Sequence, residues 1–164
     1  MRVRVGVLTV SDRASQGVYE DRSGPAVAAF VRERWPEAEV VPRLVPDEVE
    51  AIREAVLELL GMGCRLVLTT GGTGPAPRDV TPEALLPLLE KPLPGFGEAM
   101  RLASLRETPL AILSRQVAGV RGEALIVSLP GSPKAIRTCL EAVSEAIPVA
   151  LRLLEPGSSC EKDP

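Results

Sequence analysis

Histidine is absent from all 164 residues of this chain, and that gap removes whole classes of chemistry. With no imidazole there can be no Ser-His or Cys-His nucleophile pair and no imidazole metal site. A metal would have to be held by oxygen, which favours Mg²⁺ or a similar hard cation. Aromatic residues contribute only 2%, so base-stacking platforms for single-stranded nucleic acid are lacking. The net charge of -3 and the pI of about 5.2 leave no basic stripe, and a nucleic-acid partner is not expected.

Cysteine is sparse and unpatterned. Cys64, Cys139 and Cys160 are widely spaced without a CxxC and read as reduced thiols, Cys64 and Cys139 in the core, with no disulfide framework. No apolar run reaches the roughly 18 residues of a membrane span. Met1-Arg2-Val3 leads directly into a strand pattern with no signal peptide. A cytoplasmic protein without a membrane partner is expected. Asparagine is missing too, and arginine heavily outnumbers lysine, a bias of heat-adapted or GC-rich sources that says nothing about activity.

What is present is an alternation of strand and helix patterns in a chain of one-domain length, able to bury roughly 70% of its unfolded surface. A single domain over 1–155 with a flexible tail over 156–164 is expected. Val3 to Val10 is a near-continuous apolar run of a strand buried on both faces. A polar loop to about Arg22 follows, then a helix from Ser23 that places Val27, Phe30, Val31 and Trp35 on one face. Glu39 to Val45 reads as a second strand, and Asp47 with Glu50 resembles a capping box opening the next helix. Arg65 to Thr70 is the third strand, with a short helix from Pro82 to about Glu90. A turn at Pro94-Gly95 leads into a helix through Met100 and Leu105. Leu110–Leu113 and Ala124–Leu129 are further strand candidates. Ser132 and Pro133 open a final helix to about Leu154, bent or interrupted by Pro148. The pattern predicts an α/β three-layer sandwich, a mostly parallel sheet with helices on both faces. Ligands in such folds bind at the carboxyl edge of the strands.

At that edge the third strand stops at Gly71-Gly72-Thr73-Gly74. Such a turn can take positive φ and point its amides at an anion; it is equally an ordinary tight connection with a surface ion pair. A helix terminus favours an anion by roughly 0.3 to 1 kcal/mol, whereas micromolar affinity needs about 8 kcal/mol, so further groups are required. Arg13, Arg78, Arg115 and Lys134 are the nearest motif-linked cations, each also readable as a surface charge. The turn lacks a Walker Gly-Lys-Ser/Thr ending and does not fit GxGxxG. Of five aspartates, Asp12, Asp21, Asp47 and Asp79 fall beside strand ends or helix starts, where two could hold one Mg²⁺ on a triphosphate. Asp47 has a competing role as an N-cap worth about 0.5 to 2 kcal/mol. Asp79, two residues before a Thr81 cap, has no comparable structural role in the sequence.

Taken together, the segments TVSDRASQGVYEDRSG at 9–24, VPDE at 45–48, TTGGTGPAPRDVTPEAL at 69–85, PGFGEAMR at 94–101, SRQVAGVRG at 114–122 and LPGSPKAI at 129–136 carry a resemblance. The chain resembles the MogA/MoaB family of molybdenum-cofactor biosynthesis proteins, also found as the G domain of gephyrin-like proteins. The resemblance implies a homotrimer of molybdopterin-binding fold that adenylylates molybdopterin with ATP and Mg²⁺, releasing diphosphate. It implies functional roles, catalytic and as Mg²⁺ ligands, for Asp47 and Asp79. Gly71, Gly72, Thr73 and Gly74, with Arg78, would cradle phosphate. Ser11, Asp12, Ser114, Pro130, Gly131 and Ser132 would line the pterin side, and Glu98 would be a metal or substrate contact. The SRQ and PGSPKAI segments look more like the adenylyltransferase branch. The alternative is a MoaB-branch protein that carries molybdopterin without reacting it, and other molybdenum-cofactor assembly enzymes are further expected partners.

Overall fold

A computed structural model of the chain describes residues 1–158; Cys160 and most of the expected tail lie outside them. The first half contains β1 (Arg4–Val10), α1 (Asp12–Ser15), α2 (Ser23–Arg34), β2 (Glu39–Val45), α3 (Val49–Gly61) and β3 (Cys64–Thr70). The second contains α4 (Thr81–Leu85), β4 (Lys91–Pro92), α5 (Pro94–Leu105), β5 (Ala118–Arg121), β6 (Ala124–Leu129), α6 (Pro133–Val143) and α7 (Ala146–Leu153). The strands form one sheet in the order β2-β1-β3-β6-β5-β4. β2, β1, β3 and β6 run parallel, while β5 is antiparallel to both β6 and β4.

Side-chain alternation divides the core between the two faces of this sheet. Val5, Val7, Leu66, Leu68, Leu125, Val127 and Leu129 pack with residues of α2, α5, α6 and α7. Leu8, Val10, Val67 and Ile126 meet Ile52, Val56 and Leu59 of α3 and Leu85 of α4. Each fully buried Leu, Ile or Val contributes about 1.5–3 kcal/mol, so both faces are firmly covered and the expected three-layer arrangement results. The parallel strands end level: Val10 lies opposite Val45, Thr9 opposite Thr70, and Thr70 opposite Leu129. All four following loops therefore emerge at one edge. Among the described residues no helix is long and apolar enough to cross a membrane. Cys64 and Cys139 are buried and free.

Several local expectations are corrected. The stretch after β1 is not all loop: Ser11 Oγ accepts the Ala14 N–H at 3.1 Å and starts α1. The capping box at Asp47 does not form; Glu48 occupies the N-cap position of α3 with no side-chain cap bond. Val80, not Thr81, caps α4. That helix ends early, giving way to a 3₁₀ turn over Leu86–Leu88, because Pro87 has no N–H for the Glu83 carbonyl; Arg53 Nη2 donates to it instead, at 3.1 Å. Leu110–Leu113 lies within a 3₁₀ turn (Pro109–Leu113), not a strand, with Leu110, Ile112 and Leu113 exposed. The last helix breaks between α6 and α7 around Ser144, the residue whose carbonyl Pro148 cannot bond. Ser132 and Pro133 take the expected cap positions, yet the Ser132 hydroxyl makes no cap bond.

Candidate functional site

In the sheet order, the chain leaves β1 toward β2 on one side and β3 toward β6 on the other. This opens a crevice at their carboxyl ends, the place where open α/β sheets bind ligands. Ser11 and Asp12 follow β1, Asp47 follows β2, Gly71–Gly74 follow β3, and Pro130, Gly131 and Ser132 follow β6. The loops touch: the Gly71 N–H donates to Leu129 O at 3.2 Å, and Thr70 Oγ1 donates to Pro130 O at 2.6 Å.

The glycine turn has a defined orientation. Gly71 and Gly72 both have positive φ, 98° and 65°. A Cβ on Gly71 would overlap the Val10 carbonyl; one on Gly72 would overlap Thr81 Oγ1 and come within 3.2 Å of Asp47 Oδ1. Buried Thr81 holds two carbonyls of the turn, donating from Oγ1 to Gly71 O at 2.9 Å and from its N–H to Gly72 O at 3.1 Å. The Arg115 N–H holds the next one, Thr73 O, at 2.8 Å. Among the described residues no peptide bond is cis, and in a trans peptide the C=O and the following N–H point in opposite directions. Fixing these three carbonyls on the protein side aims the N–H groups of Gly72, Thr73 and Gly74 the other way. None of the three donates to a protein acceptor among the described residues. Three adjacent donors without partners make a concavity suited to a phosphate.

Beside it stand the acids. Asp12 and Asp47 brace each other: the Asp12 N–H donates to Asp47 Oδ2 at 2.8 Å, and the Asp47 N–H to Asp12 Oδ1 at 2.9 Å. That cross-brace replaces the expected cap role of Asp47. The Asp47 main-chain bond and the Arg78 guanidinium hold the Asp12 carboxyl below its ordinary range. The Asp47 carboxyl is pushed up, first by burial and then by the negative charges of Asp12 and Asp79, against the Asp12 amide that lowers it. Asp79 does have a structural partner: its Oδ2 accepts the Ala76 N–H at 3.0 Å, while its own N–H donates to Ala76 O at 2.9 Å. Asp21, just before the Arg22 N-cap of α2, accepts the Gly24 N–H at 3.0 Å and the Thr9 hydroxyl at 2.8 Å.

The candidate cations all have partners. Arg78 binds Asp12 Oδ2 at 2.6 Å, Arg13 lies 5.5 Å from the Tyr19 ring, and Lys134 is 3.6 Å from Glu107. Arg115 donates to Gly74 O and Asp79 O and pairs with Glu83, a clamping role invisible in the sequence. Thr81, read there only as a cap, is likewise a support of the turn. Ser114 is the chain neighbour of Arg115, and its buried hydroxyl has no partner. Gly131 packs near Gly71, and Ser132 is exposed at the rim. Glu98 is exposed on α5, and no hydrogen bond or ion pair joins it to the others. Among the described residues no three acidic or thiol groups form a ready metal cage. A cavity of about 680 Å³ beside Trp35 and Arg152 lies at the opposite, amino end of the strands and involves none of these residues.

The sequence pattern of the family described as "Probable molybdopterin binding domain" matches residues 6–149. This chain belongs to that family. The match spans every loop of the crevice. Among the relatives of this chain, the molybdopterin adenylyltransferase of Helicobacter pylori (strain ATCC 700392 / 26695) is 50% identical over 154 residues, 93% of this chain and 88% of that protein. The molybdopterin adenylyltransferase of Escherichia coli (strain K12) is 46% identical over 167 residues, covering 93% and 86%. The crystal structure of the molybdopterin biosynthesis enzyme MoaB from Thermus thermophilus superposes with a TM-score of 0.83 at 49% identity, covering 93% of this chain and 96% of that one. The family resemblance carried by the six sequence segments is thereby established.

Proposed function

We propose that this chain transfers the adenylyl group of ATP to molybdopterin. The terminal phosphate of molybdopterin attacks the α-phosphorus of ATP; an oxygen–phosphorus bond forms, the bond from the α-phosphorus to the oxygen bridging it to the β-phosphorus breaks, and diphosphate leaves. The attacking phosphate is already an anion, so neither a protein nucleophile nor a histidine base is needed. Catalysis then rests on positioning and charge neutralisation. The observation that carries this reading is the set of three aligned, unpartnered amides at Gly72, Thr73 and Gly74, beside the Asp12–Asp47 brace.

The acidic side of the crevice fits a divalent cation. Two unit charges 4 Å apart interact by about 4 kcal/mol at an effective dielectric of 20, so a polyphosphate beside bare carboxylates is unfavourable. The Asp47 carboxyl is pushed up chiefly by burial and then by the charges of Asp12 and Asp79, so a cation beside it would be favoured. Asp47 and Asp79 would hold Mg²⁺, which binds through one or two carboxylates plus substrate phosphates and needs no full protein cage. When bound, it supplies charge neutralisation and polarisation of the transferred phosphoryl group. The amides of the turn orient the phosphates, and Ser11, Asp12, Ser114, Pro130, Gly131 and Ser132 border the pterin side, with Arg78 reaching across from Asp12.

Self-association, which the family resemblance reads as a homotrimer, is supported by the apolar surface of α5 and the following 3₁₀ turn, where Leu102, Leu105, Leu110, Ile112 and Leu113 are all exposed, Ile112 by 73%. Patches of this kind mark protein–protein contacts. The reading is tested by incubating the purified protein with molybdopterin, ATP and Mg²⁺, and measuring diphosphate and the mass of the pterin product. Tight pterin binding without product would favour the carrier reading.

A further inference from the structure

We propose that Arg115 is a positioning residue for the phosphate turn: it holds the turn's carbonyls and thereby aims its amides, without itself contacting the anion. The inference rests on the phosphate-binding reading of Gly72–Gly74.

Arg115 joins three separate parts of the chain. Its main-chain N–H takes Thr73 O at 2.8 Å, its Nε takes Gly74 O at 2.9 Å, and its Nη2 takes Asp79 O at 2.8 Å. The Gly74 and Asp79 carbonyls bracket Pro75-Ala76-Pro77-Arg78, so one guanidinium ties both ends of that loop, and with it the Asp79 carboxylate and the Arg78 side chain. The remaining side of the fork faces Glu83 of α4, with Nη1 on Oε1 and Nη2 3.4 Å from Oε2. A guanidinium has five N–H donors in a rigid plane, and these contacts engage four of them. Its charge is balanced as well: Glu83 holds the arginine firmly protonated, and the arginine holds the Glu83 carboxyl below its ordinary range. A cation so engaged has little left for a ligand phosphate. The Arg115 main-chain N–H sets the tilt of the Thr73–Gly74 peptide, while the guanidinium pins the next carbonyl, that of Gly74, and the far end of the loop at Asp79, so that Gly74 cannot rotate and its N–H keeps its direction. Lysine cannot take over this role, because a compact ammonium does not reproduce a planar fork.

The test measures binding of inorganic diphosphate in the presence of Mg²⁺ by calorimetry, for the whole chain and for Arg115→Lys and Arg115→Gln, alongside steady-state turnover. If Arg115 positions the turn, both variants lose diphosphate affinity alike, by tenfold or more, because the fork matters and the charge does not. Wild-type affinity in Arg115→Lys with loss in Arg115→Gln would show a direct charge contact and overturn the proposal; so would wild-type affinity in both. Should those variants fail to fold, Glu83→Gln serves. It keeps the carbonyl contacts but releases their anchor, and is expected to weaken diphosphate binding two- to fivefold. Unchanged or tighter binding there would overturn the proposal. Diphosphate binding does not require turnover, so a protein that binds diphosphate but forms no adenylylated pterin would sink the adenylyltransferase reading and leave this one standing.

Discussion

Substituting alanine for Gly72 probes the turn and its support together. At φ of 65° a residue with a Cβ adopts the left-handed region at about 1–2 kcal/mol, offset by about 0.4–1 kcal/mol because alanine restricts the unfolded chain. The new methyl also collides with Thr81 Oγ1, which has to leave the Gly71 carbonyl it holds at 2.9 Å. Leaving such a group without its donor costs about 1–3 kcal/mol. The expected loss is therefore about 1–5 kcal/mol. Gly17 and Gly122 provide the control: their φ values of 72° and 56° bracket that of Gly72, and a Cβ on either meets nothing within 4 Å. Gly17→Ala and Gly122→Ala should cost no more than about 1.6 kcal/mol. Urea unfolding of all three variants, at one protein concentration because association shifts apparent stability, reads the difference. Should Gly72→Ala prove no worse than Gly122→Ala, the contact between Thr81 and the turn is not as described. Diphosphate release by the Gly72 variant should fall with its stability, since the displaced Thr81 no longer orients the first two peptides.

Other expectations follow from the acids and the apolar face. Asp79→Asn keeps an oxygen for the Ala76 N–H but removes the charge, so turnover should drop by 100-fold or more with the melting temperature within about 2 °C, a shift of no more than about 1 kcal/mol; unfolding of the variant with activity per folded molecule intact would make Asp79 structural. For Asp47 the folded protein binds the proton more tightly than the unfolded chain does, so its contribution becomes unfavourable as pH rises from about 4 through the raised value. Asp47→Asn should accordingly raise the melting temperature at pH 7, with the gain vanishing below about pH 4, while abolishing adenylylation; a lower melting temperature at pH 7 would contradict the burial argument. Asp12 acts in the opposite sense, its stabilising contribution being lost as pH falls from about 4 through its lowered value. Ile112→Glu should dissociate the proposed trimer in sedimentation equilibrium; an unchanged mass would place any subunit interface elsewhere.

Strong local patterns made much of the fold legible in the sequence. β1, β3 and β6 are mostly apolar runs and β2 a valine-rich stretch, α2 and α3 carry helical apolar spacing, and the glycine turn with its neighbouring acids was visible as a candidate site. Those features depend on residues close in sequence, which is why they can be read without the fold. Ala118–Arg121 is a strand because β6 returns beside it, and Pro109–Leu113 is a turn because no strand flanks it, so neither is decided by its own composition. The same holds at the site. Capping was the local choice for Asp47, yet an amide 35 residues away, that of Asp12, took its carboxylate. Arg115 looked like a phosphate cation until Gly74, Asp79 and Glu83 surrounded it. Sequence alone determined which groups were available and the elements on which they ride; tertiary structure decided which groups meet, because a hydrogen-bonding side chain commits to the partner the assembled sheet brings within about 3 Å.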